Sequence, residues 1–144
     1  MHADILESLV VATHRLAQLT AQSTGSTTPA AVWRALSLLD HDGPLRVGEL
    51  ARLARVTQPG ITRLVATMHD DGFVDRVADE TDSRATVIAI SEPGRRALDD
   101  WRRTIATTME PAFGSLSEDD WQVLGRAADI LAARTLSVGT ETTR

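Results

Sequence analysis

The sequence predicts a mainly α-helical protein with a small β component, and three observations lead to this fold class. Apolar residues recur at helical spacing in the segments 3–22 and 100–134, which flank the rest of the chain. A short helix, a tight turn and a second helix follow residue 46. Two β-rich runs joined by a polar tip then extend to residue 91. This order predicts a winged helix-turn-helix, in which one helix enters the major groove and a hairpin reaches the flanking DNA backbone.

Length and composition fit one domain and exclude several kinds of chemistry. We expect all 144 residues to form a single domain, with the helix-turn-helix lobe at approximately 28–95. The absence of cysteine excludes disulfides, thiol redox sensing and Cys-based zinc sites. No apolar run approaches the roughly 20 residues that a membrane span needs, and no leader is recognisable. We therefore expect a cytoplasmic protein with no membrane partner.

The net charge of −5 is unevenly distributed along the chain. Residues 46–103 contain ten arginines and ten acidic residues, so the rest of the chain carries the whole negative balance. Within 46–69, four arginines stand against Glu49 alone. A locally positive face on an acidic body favours contact with phosphates in one orientation.

Two helices are predicted before the helix-turn-helix. The first covers 3–22 and ends where the Ser/Thr/Gly run 23–28 interrupts the helical spacing. Thr28 is expected to cap the second helix, because Pro29 then falls in the first turn, where its missing N–H is harmless. Asp42-Gly43-Pro44 ends that helix.

The helix-turn-helix is predicted from a small residue and its apolar neighbours. Ala51 lies where the first helix must cross the second, and Arg55 lies at the turn, where many helix-turn-helices carry glycine. The turn therefore either avoids positive φ or tolerates some strain. The side of the second helix that we expect to be buried is made of Ile61, Leu64, Val65 and Met68.

The opposite side of the second helix carries the side chains that would contact DNA. Glutamine can pair with adenine, arginine with guanine, and threonine can hydrogen-bond a base or touch a thymine methyl. Gly60 would let the helix start approach the DNA backbone, where free N–H groups suit a phosphate. A solvated polar helix face is the alternative. The candidate DNA-binding residues of this segment are Thr57, Gln58, Gly60, Thr62, Arg63 and Thr67.

The β-rich runs 73–78 and 86–90 form the predicted wing. At its tip, Asp82 and Arg84 could form an ion pair that stiffens the loop. Alternatively, Arg84 projects into a minor groove, where the negative potential attracts a guanidinium group. Arg76, on the first wing strand, is a candidate phosphate contact.

The outer helices carry more apolar surface than a small winged domain can cover. Ser91 is expected to cap a helix of residues 92–115, and Ser117 with Asp120 resembles the capping box of a last helix, 118–134. A symmetric dimer would bury the excess surface, and an intramolecular helical layer is the alternative. The candidate interface residues are Ile5, Leu9, Trp121, Leu124 and Leu131.

Five motifs follow one another through the predicted DNA-binding half. They are Leu50-Ala51, Thr57-Gln58-Pro59-Gly60-Ile61-Thr62-Arg63-Leu64, Asp71-Gly72-Phe73-Val74-Asp75-Arg76, Asp82-Ser83-Arg84 and Ser91-Glu92-Pro93-Gly94-Arg95. In this order they resemble the MarR family of transcription regulators. The resemblance implies an obligate homodimer formed by the first and last helices, palindromic double-stranded DNA, recognition helices in successive major grooves and wings in the minor groove. It further implies that Arg84 is the minor-groove residue, Asp82 its orienting partner and Arg63 a groove contact.

Many members of that family are released from DNA by small aromatic or phenolic ligands. By this resemblance, His14, Arg15 and Trp33 could line an effector pocket, although Trp33 is also a natural core residue. The four histidines show no local metal-ligand spacing, so we predict no metal and no cofactor. A site assembled in space around His41 and Asp42 is left open.

Two other functions are weighed against DNA binding. An enzyme could use Asp79, Glu80 and Asp82 for a divalent ion or acid–base chemistry, but they lie on a predicted exposed turn without a convergent nucleophile. We therefore predict no enzymatic activity. A winged helix could also bind another protein, and such binding would lack the strong salt dependence of DNA contact. The preferred prediction is a sequence-specific transcriptional regulator, a repressor by family resemblance.

Overall fold

The computed structural model describes residues 1–23 and 25–141, with side chains as far as Thr135. Contacts divide it into two compact units, Met1–Met109 and the residues from Glu110 onward. Within the described ranges, no helix has the length and apolar character to cross a membrane. The elements are α1 (His2–Ser23), α2 (Ala30–Asp42), β1 (Leu45–Arg46), α3 (Val47–Ala54), α4 (Gln58–Asp70), β2 (Val74–Ala78), β3 (Thr86–Ile90), α5 (Glu92–Met109), a 3-10 turn (Glu110–Phe113) and α6 (Glu118–Glu141).

The core of the first unit lies between α2, α3, α4, α5 and the sheet. Trp33 of α2 stacks on Trp101 of α5, with ring centroids 5.0 Å apart and ring planes at 11°. On α4, the predicted inner side is confirmed, since three of its four residues are buried and Leu64 packs against the core. The largest fully buried side chains are Leu36, Leu39, Leu50, Ile61, Met68, Ile88, Leu98, Val32 and Val74.

Three antiparallel strands form the sheet in the order β1-β3-β2. β2 and β3 are the predicted wing, paired from Val74↔Ile90 to Ala78↔Thr86. β1 is missing from the prediction, because two residues carry no periodic signal. It pairs Arg46 with Val87, so the chain that enters the helix-turn-helix is bonded directly to the wing.

Three helix boundaries differ from the prediction, and the last is the end of α6, which extends to Glu141 rather than stopping at residue 134. Thr28 does not cap α2, because Pro29, with an extended ψ of 143°, takes the N-cap position and the helix begins one residue later. At the second boundary, α5 ends at Met109 rather than near residue 115. The 3-10 turn that follows contains Pro111, which cannot donate a helical hydrogen bond.

The sequence left open whether the turn between α3 and α4 avoids positive φ at Arg55, and the structure shows that it does not. Its φ of 57° and ψ of 46° are left-handed. Val56 N donates to the Ala51 carbonyl at 3.0 Å, and Arg55 N donates to the Arg52 carbonyl at 3.3 Å. These are the paired bonds of a Schellman motif, whose left-handed position is usually glycine. The turn therefore tolerates a strained non-glycine residue.

The second unit consists of the 3-10 turn and α6, and its predicted capping box is confirmed. Asp120 N donates to Ser117 Oγ at 3.1 Å, and Ser117 N donates to Asp120 Oδ2 at 3.3 Å. The rings of Phe113 and Trp121 lie 6.1 Å apart. Trp121 and Leu124 are still 40% and 43% exposed, so the unit leaves much of its apolar surface uncovered.

Candidate nucleic-acid interface

α4 begins with a capped turn that sets its direction. Thr57 Oγ1 accepts a hydrogen bond from Gly60 N at 3.2 Å, and Pro59 lies in the first turn. Glycine at residue 60 also has a local cause, because a Cβ there would lie 2.7 Å from Val56 Cγ1. Thr57 and Gly60 thus shape the helix start, and their contact with DNA stays a prediction.

The outer side of α4 is polar and exposed at Gln58, Thr62, Arg63 and Thr67. The Thr62 hydroxyl donates to the Gln58 carbonyl at 2.9 Å, and the Thr67 hydroxyl donates to the Arg63 carbonyl at 3.1 Å. Since each hydroxyl proton is already used, these threonines can offer an oxygen acceptor to a donor on a base. Arg63 has no hydrogen bond or ion pair from its side chain among the described residues, so its guanidinium is available.

The wing tip is held by an ion pair that the sequence does not predict. Arg46 of β1 donates from Nε to Asp79 Oδ2 at 2.8 Å, and its Nη2 lies 2.7 Å from the same oxygen. The other carboxylate oxygen accepts from the backbone N and the hydroxyl of Thr81, both at 3.0 Å. Asp79 is only 14% exposed, so it is not the free carboxylate of a solvated turn.

These contacts have an electrostatic consequence for Asp79. The hydrogen bond from the Thr81 backbone, followed by those from Arg46 and the Thr81 hydroxyl, holds the pKa of Asp79 below its ordinary value. The carboxylate is therefore charged and neutralises Arg46. Arg46 and Asp79 lie 33 residues apart, and no local pattern connects residues so distant in sequence.

Asp82 and Arg84 form the ion pair that was one of the two alternatives for the tip. Asp82 Oδ1 accepts from the backbone N of Arg84 at 3.1 Å and from its Nε at 3.2 Å. The Arg84 side chain is nevertheless 90% exposed. The carboxylate thus orients the guanidinium group while leaving it in solvent.

A groove of about 420 Å³ separates α4 from the wing. Thr62 lines it from α4, Arg76 and Ser83 line it from the wing, and Val65 and Ile88 are among its apolar residues. Arg76 is exposed and, in the described part of the chain, its side chain makes no hydrogen bond or ion pair. The fold therefore brings Thr62 and Arg76, both predicted DNA contacts, to one surface. Among the described side chains, which extend to Thr135, no three His, Cys, Asp or Glu residues are grouped as a metal site requires.

Comparison with known proteins decides the family. The sequence profile described as MarR family matches residues 26–85. An HTH-type transcriptional regulator of Mycobacterium bovis is 30% identical over 132 residues, which are 91% of this chain and 92% of that relative. The chain belongs to the MarR family.

Two further similarities agree with MarR-family membership. The transcriptional repressor IacR of Pseudomonas putida is 27% identical over 69% of this chain and 59% of its own length. The solved structure of a MarR family protein from Bacillus stearothermophilus is 25% identical, with a TM-score of 0.69, and the match covers 92% of this chain and 94% of that one. The predicted mainly α winged helix-turn-helix fold is thereby confirmed.

MarR-family membership also bears on the choice between a DNA-binding regulator, an enzyme and a protein-binding module. MarR-family regulators bind DNA and act as dimers, and the relatives are transcriptional regulators rather than enzymes. The prediction of a DNA-binding transcriptional regulator is confirmed, and a module that only binds proteins is not favoured.

In this MarR-family chain, the Ser-x-x-Gly motif fastens the root of the wing. Ser91 Oγ donates to the Gly72 carbonyl at 2.5 Å and accepts from Gly94 N at 3.1 Å, which caps α5 as predicted. A Cβ at Gly94 would lie 2.1 Å from the Phe73 carbonyl oxygen. Only glycine lets α5 start this close to the chain that enters β2, so the motif has a structural basis.

The candidate effector residues lie in different environments. His14 and Arg15 are exposed on α1, whereas Trp33 is buried and stacked on Trp101. Trp33 Nε1 is buried and has no hydrogen-bond partner among the described residues. An indole N–H is a donor that buried sites normally satisfy, so this nitrogen sets the core tryptophan apart from an ordinary packing residue.

Proposed function

We propose that the protein is a homodimeric repressor that binds palindromic double-stranded DNA through α4 and the wing. The observation that carries the proposal is the two-sided character of α4. Its inner side is buried in the core, while Gln58, Thr62 and Arg63 are exposed near its N-terminal end. In helix-turn-helix proteins, residues near the start of the second helix contact base edges. Chromosomal DNA as the partner also places the protein in the cytoplasm.

Each predicted DNA-binding residue takes a role that its chemistry supports. Arg63 pairs with guanine and Gln58 with adenine, while the threonines accept from bases or touch thymine methyls. Arg76 contacts a phosphate, and Arg84, oriented by Asp82, enters the minor groove. The start of α4 from Thr57 to Gly60 approaches the DNA backbone. In a dimer, the two half-sites lie about one helical turn apart, 10–10.5 bp centre to centre.

The dimer is supported by apolar surface on α1 and, separately, on α6. None of the residues of α1 is buried, and Ile5 is 55% exposed, with Leu9 half-buried. On α6, Trp121 and Leu124 are exposed and Leu131 is half-buried. Helices with this much uncovered apolar surface are typical of subunit interfaces.

Leu9→Glu tests the dimer, because a charge in an apolar interface loses its hydration without gaining a partner. We expect light scattering to show a monomer for this variant. Gln18→Glu, which adds the same charge at an exposed polar position of α1, is the matched control and should stay dimeric. A dimer that survives both Leu9→Glu and Leu131→Glu would show that the interface lies elsewhere.

A small aromatic or phenolic effector is part of the proposal. It is supported by the stacked indoles of Trp33 and Trp101 and by the unsatisfied donor at Trp33 Nε1, which a ligand oxygen could satisfy. His14 and Arg15 on α1 would attract an anionic group. Titration with a set of hydroxybenzoates should quench tryptophan fluorescence and release the DNA, and Trp33→Phe should weaken both effects. Equal titration curves for the two proteins would exclude Trp33 as a contact.

The decisive experiment for DNA binding is fluorescence anisotropy across a salt series. The probe is the duplex upstream of the protein's own gene, and a scrambled duplex of equal length is the control. We expect specific binding by two subunits whose affinity falls steeply with salt, because each phosphate contact releases counterions. Equal, weak binding to both duplexes, followed by failure of selection from random DNA, would refute sequence-specific regulation.

Repression is tested by transcription in vitro from a promoter that overlaps the selected operator. We expect the protein to lower transcript yield, as the similarity to IacR supports. Purified polymerase with a promoter that lacks the operator provides the control. A higher transcript yield from the operator-containing template would show that the protein is an activator and not a repressor.

A further inference from the structure

The turn of the helix-turn-helix holds an arginine that its backbone does not favour. Arg55 is the only non-glycine residue with positive φ in the described part of the chain. At φ 57° and ψ 46°, the Cβ of an L-residue crowds the following carbonyl oxygen, which is why helix ends of this type usually carry glycine. The Schellman bonds that close the turn use only backbone atoms, so glycine would form them equally well.

Local packing does not account for the arginine either. The Arg55 side chain is exposed, and it takes part in no hydrogen bond or ion pair with the side chains that the structure describes, which end at Thr135. Arg46 and Arg84 behave differently, because each pairs with an aspartate of the wing tip. A residue that is strained, charged, exposed and unpaired is typical of a functional position.

The position of Arg55 shows what such a charge would meet. Arg55 directly follows α3 and lies two residues before Thr57, the cap of α4. In helix-turn-helix complexes, the first helix crosses the phosphate backbone while the start of the second reaches the bases. The connecting turn therefore lies where the chain passes from backbone to groove, within reach of a phosphate. Arg52, one helical turn earlier and also exposed, adds positive charge to the same end of α3.

We propose that Arg55 is a phosphate-binding residue that clamps the DNA backbone where α4 enters the major groove. The proposal rests on the DNA-binding function proposed above. A guanidinium group can bind a phosphate through two parallel hydrogen bonds, and such contacts position a protein on DNA without specifying sequence. The turn thus holds a cation at the groove entrance. Its backbone conformation is strained for arginine, although glycine would adopt it freely.

The test compares Arg55→Gly with Arg55→Lys in the salt series described above. Arg55→Gly keeps the backbone conformation and removes the charge, while Arg55→Lys keeps the charge. For Arg55→Gly we expect the slope of log affinity against log salt to be lower by about 0.9 per contact, or about 1.8 for a dimer. That change corresponds to binding weaker on the order of 10- to 100-fold at 0.1 M salt, equally for specific and scrambled duplexes. Arg55→Lys should retain the wild-type slope.

Thermal melting separates this role from a structural one. Arg55→Gly should melt at the wild-type temperature or above it, because the strain is relieved, while it binds DNA more weakly. An unchanged salt slope for Arg55→Gly, or a loss of binding accompanied by a lower melting temperature, would overturn the proposal. The wild-type curve is measured first, and its failure to show specific, salt-dependent binding would refute the DNA-binding function itself, independently of Arg55.

Discussion

α4 and the tip of the wing both present arginine to solvent, but they hold it in different ways. On the wing side, Arg46 is fixed by Asp79 and Arg84 by Asp82. On α4, the guanidinium of Arg63 is without a hydrogen bond or ion pair among the described residues. A paired arginine has a set direction and a charge that the carboxylate offsets, whereas an unpaired one keeps all five donors. The tip of the wing is thus held by ion pairs within the protein, whereas the donors of Arg63 on α4 stay available to a ligand.

The largest expected effect comes from breaking the root of the wing with Gly94→Ala. The new Cβ would lie 2.1 Å from the Phe73 carbonyl oxygen, so the start of α5 must move away from the chain entering β2. We expect a loss of about 3 kcal/mol in the free energy of unfolding, measured by urea denaturation. Gly125→Ala is the matched control, because nothing lies within 4 Å of its Cβ position in α6. Similar midpoints for the two variants would show that the wing root is not tightly packed.

Arg63→Ala tests whether the unpaired arginine of α4 recognises a base. We expect specific binding to weaken by about 1–3 kcal/mol and discrimination to relax at one base position of each half-site. Selection from random duplexes reports the lost position directly. Arg103→Ala, which removes an exposed arginine of α5, should leave the selected sequence unchanged. If the Arg63→Ala protein selects the same operator as the wild type, Arg63 does not recognise a base.

Arg84→Ala and Asp82→Ala separate charge from orientation at the wing tip. Arg84→Ala should weaken binding on all sequences and lower the salt slope by about 1 per wing, because a cation leaves the DNA. Asp82→Ala keeps that cation and removes its orienting partner, so we expect the slope to be retained while discrimination by minor-groove width declines. Anisotropy on duplexes with and without A-tracts at the wing sites measures both effects. Equal slopes for Arg84→Ala and wild type would show that the wing does not touch DNA.

The smallest expected effect is the acid response of the Arg46–Asp79 ion pair. The pKa of Asp79 in the folded protein lies below its ordinary value of 3.8, so the folded state binds the proton less readily than the unfolded state. The stabilisation is fully present above pH 3.8 and is lost as the pH falls through the lowered folded pKa. The protection of the Thr81 amide from hydrogen exchange should therefore not change with the protonation of Asp79 from pH 5 to 8, and it should decrease in strong acid. Asp79→Asn should abolish this acid-dependent loss of protection. A loss that survives in this variant would belong to another carboxyl group.

Much of the fold follows from local patterns in the sequence. α1 and α4 are predicted because their apolar residues repeat over several turns, and the cap at Ser117 is predicted because its partner lies three residues away. Features without such a signal are missed. β1 has two residues, and the start of α2 depends on the ψ of Pro29, which is extended although a helical value is also open to proline.

The candidate site divides in the same manner. The outward side of α4 can be predicted from helical spacing. The tip pair Asp82–Arg84 is one of two alternatives that a separation of two residues allows, and the structure shows which one holds. The Arg46–Asp79 ion pair cannot, because only the packing of β1 beside β3 brings Arg46 to the wing. The conformation of Arg55 is undecided from sequence, because arginine disfavours the left-handed region that the turn requires.

Ser91 connects the wing directly to α5. β3 and α5 are separated by this one residue, which bonds to the chain before β2 and to the first turn of α5. A five-residue strand is roughly 17 Å long, so a tilt of about 10° at its base displaces the tip by about 3 Å. That distance is close to the roughly 3.4 Å between neighbouring base pairs. Because a single residue joins β3 to α5, we expect a change in the direction of α5 to be transmitted directly to the tip of the wing.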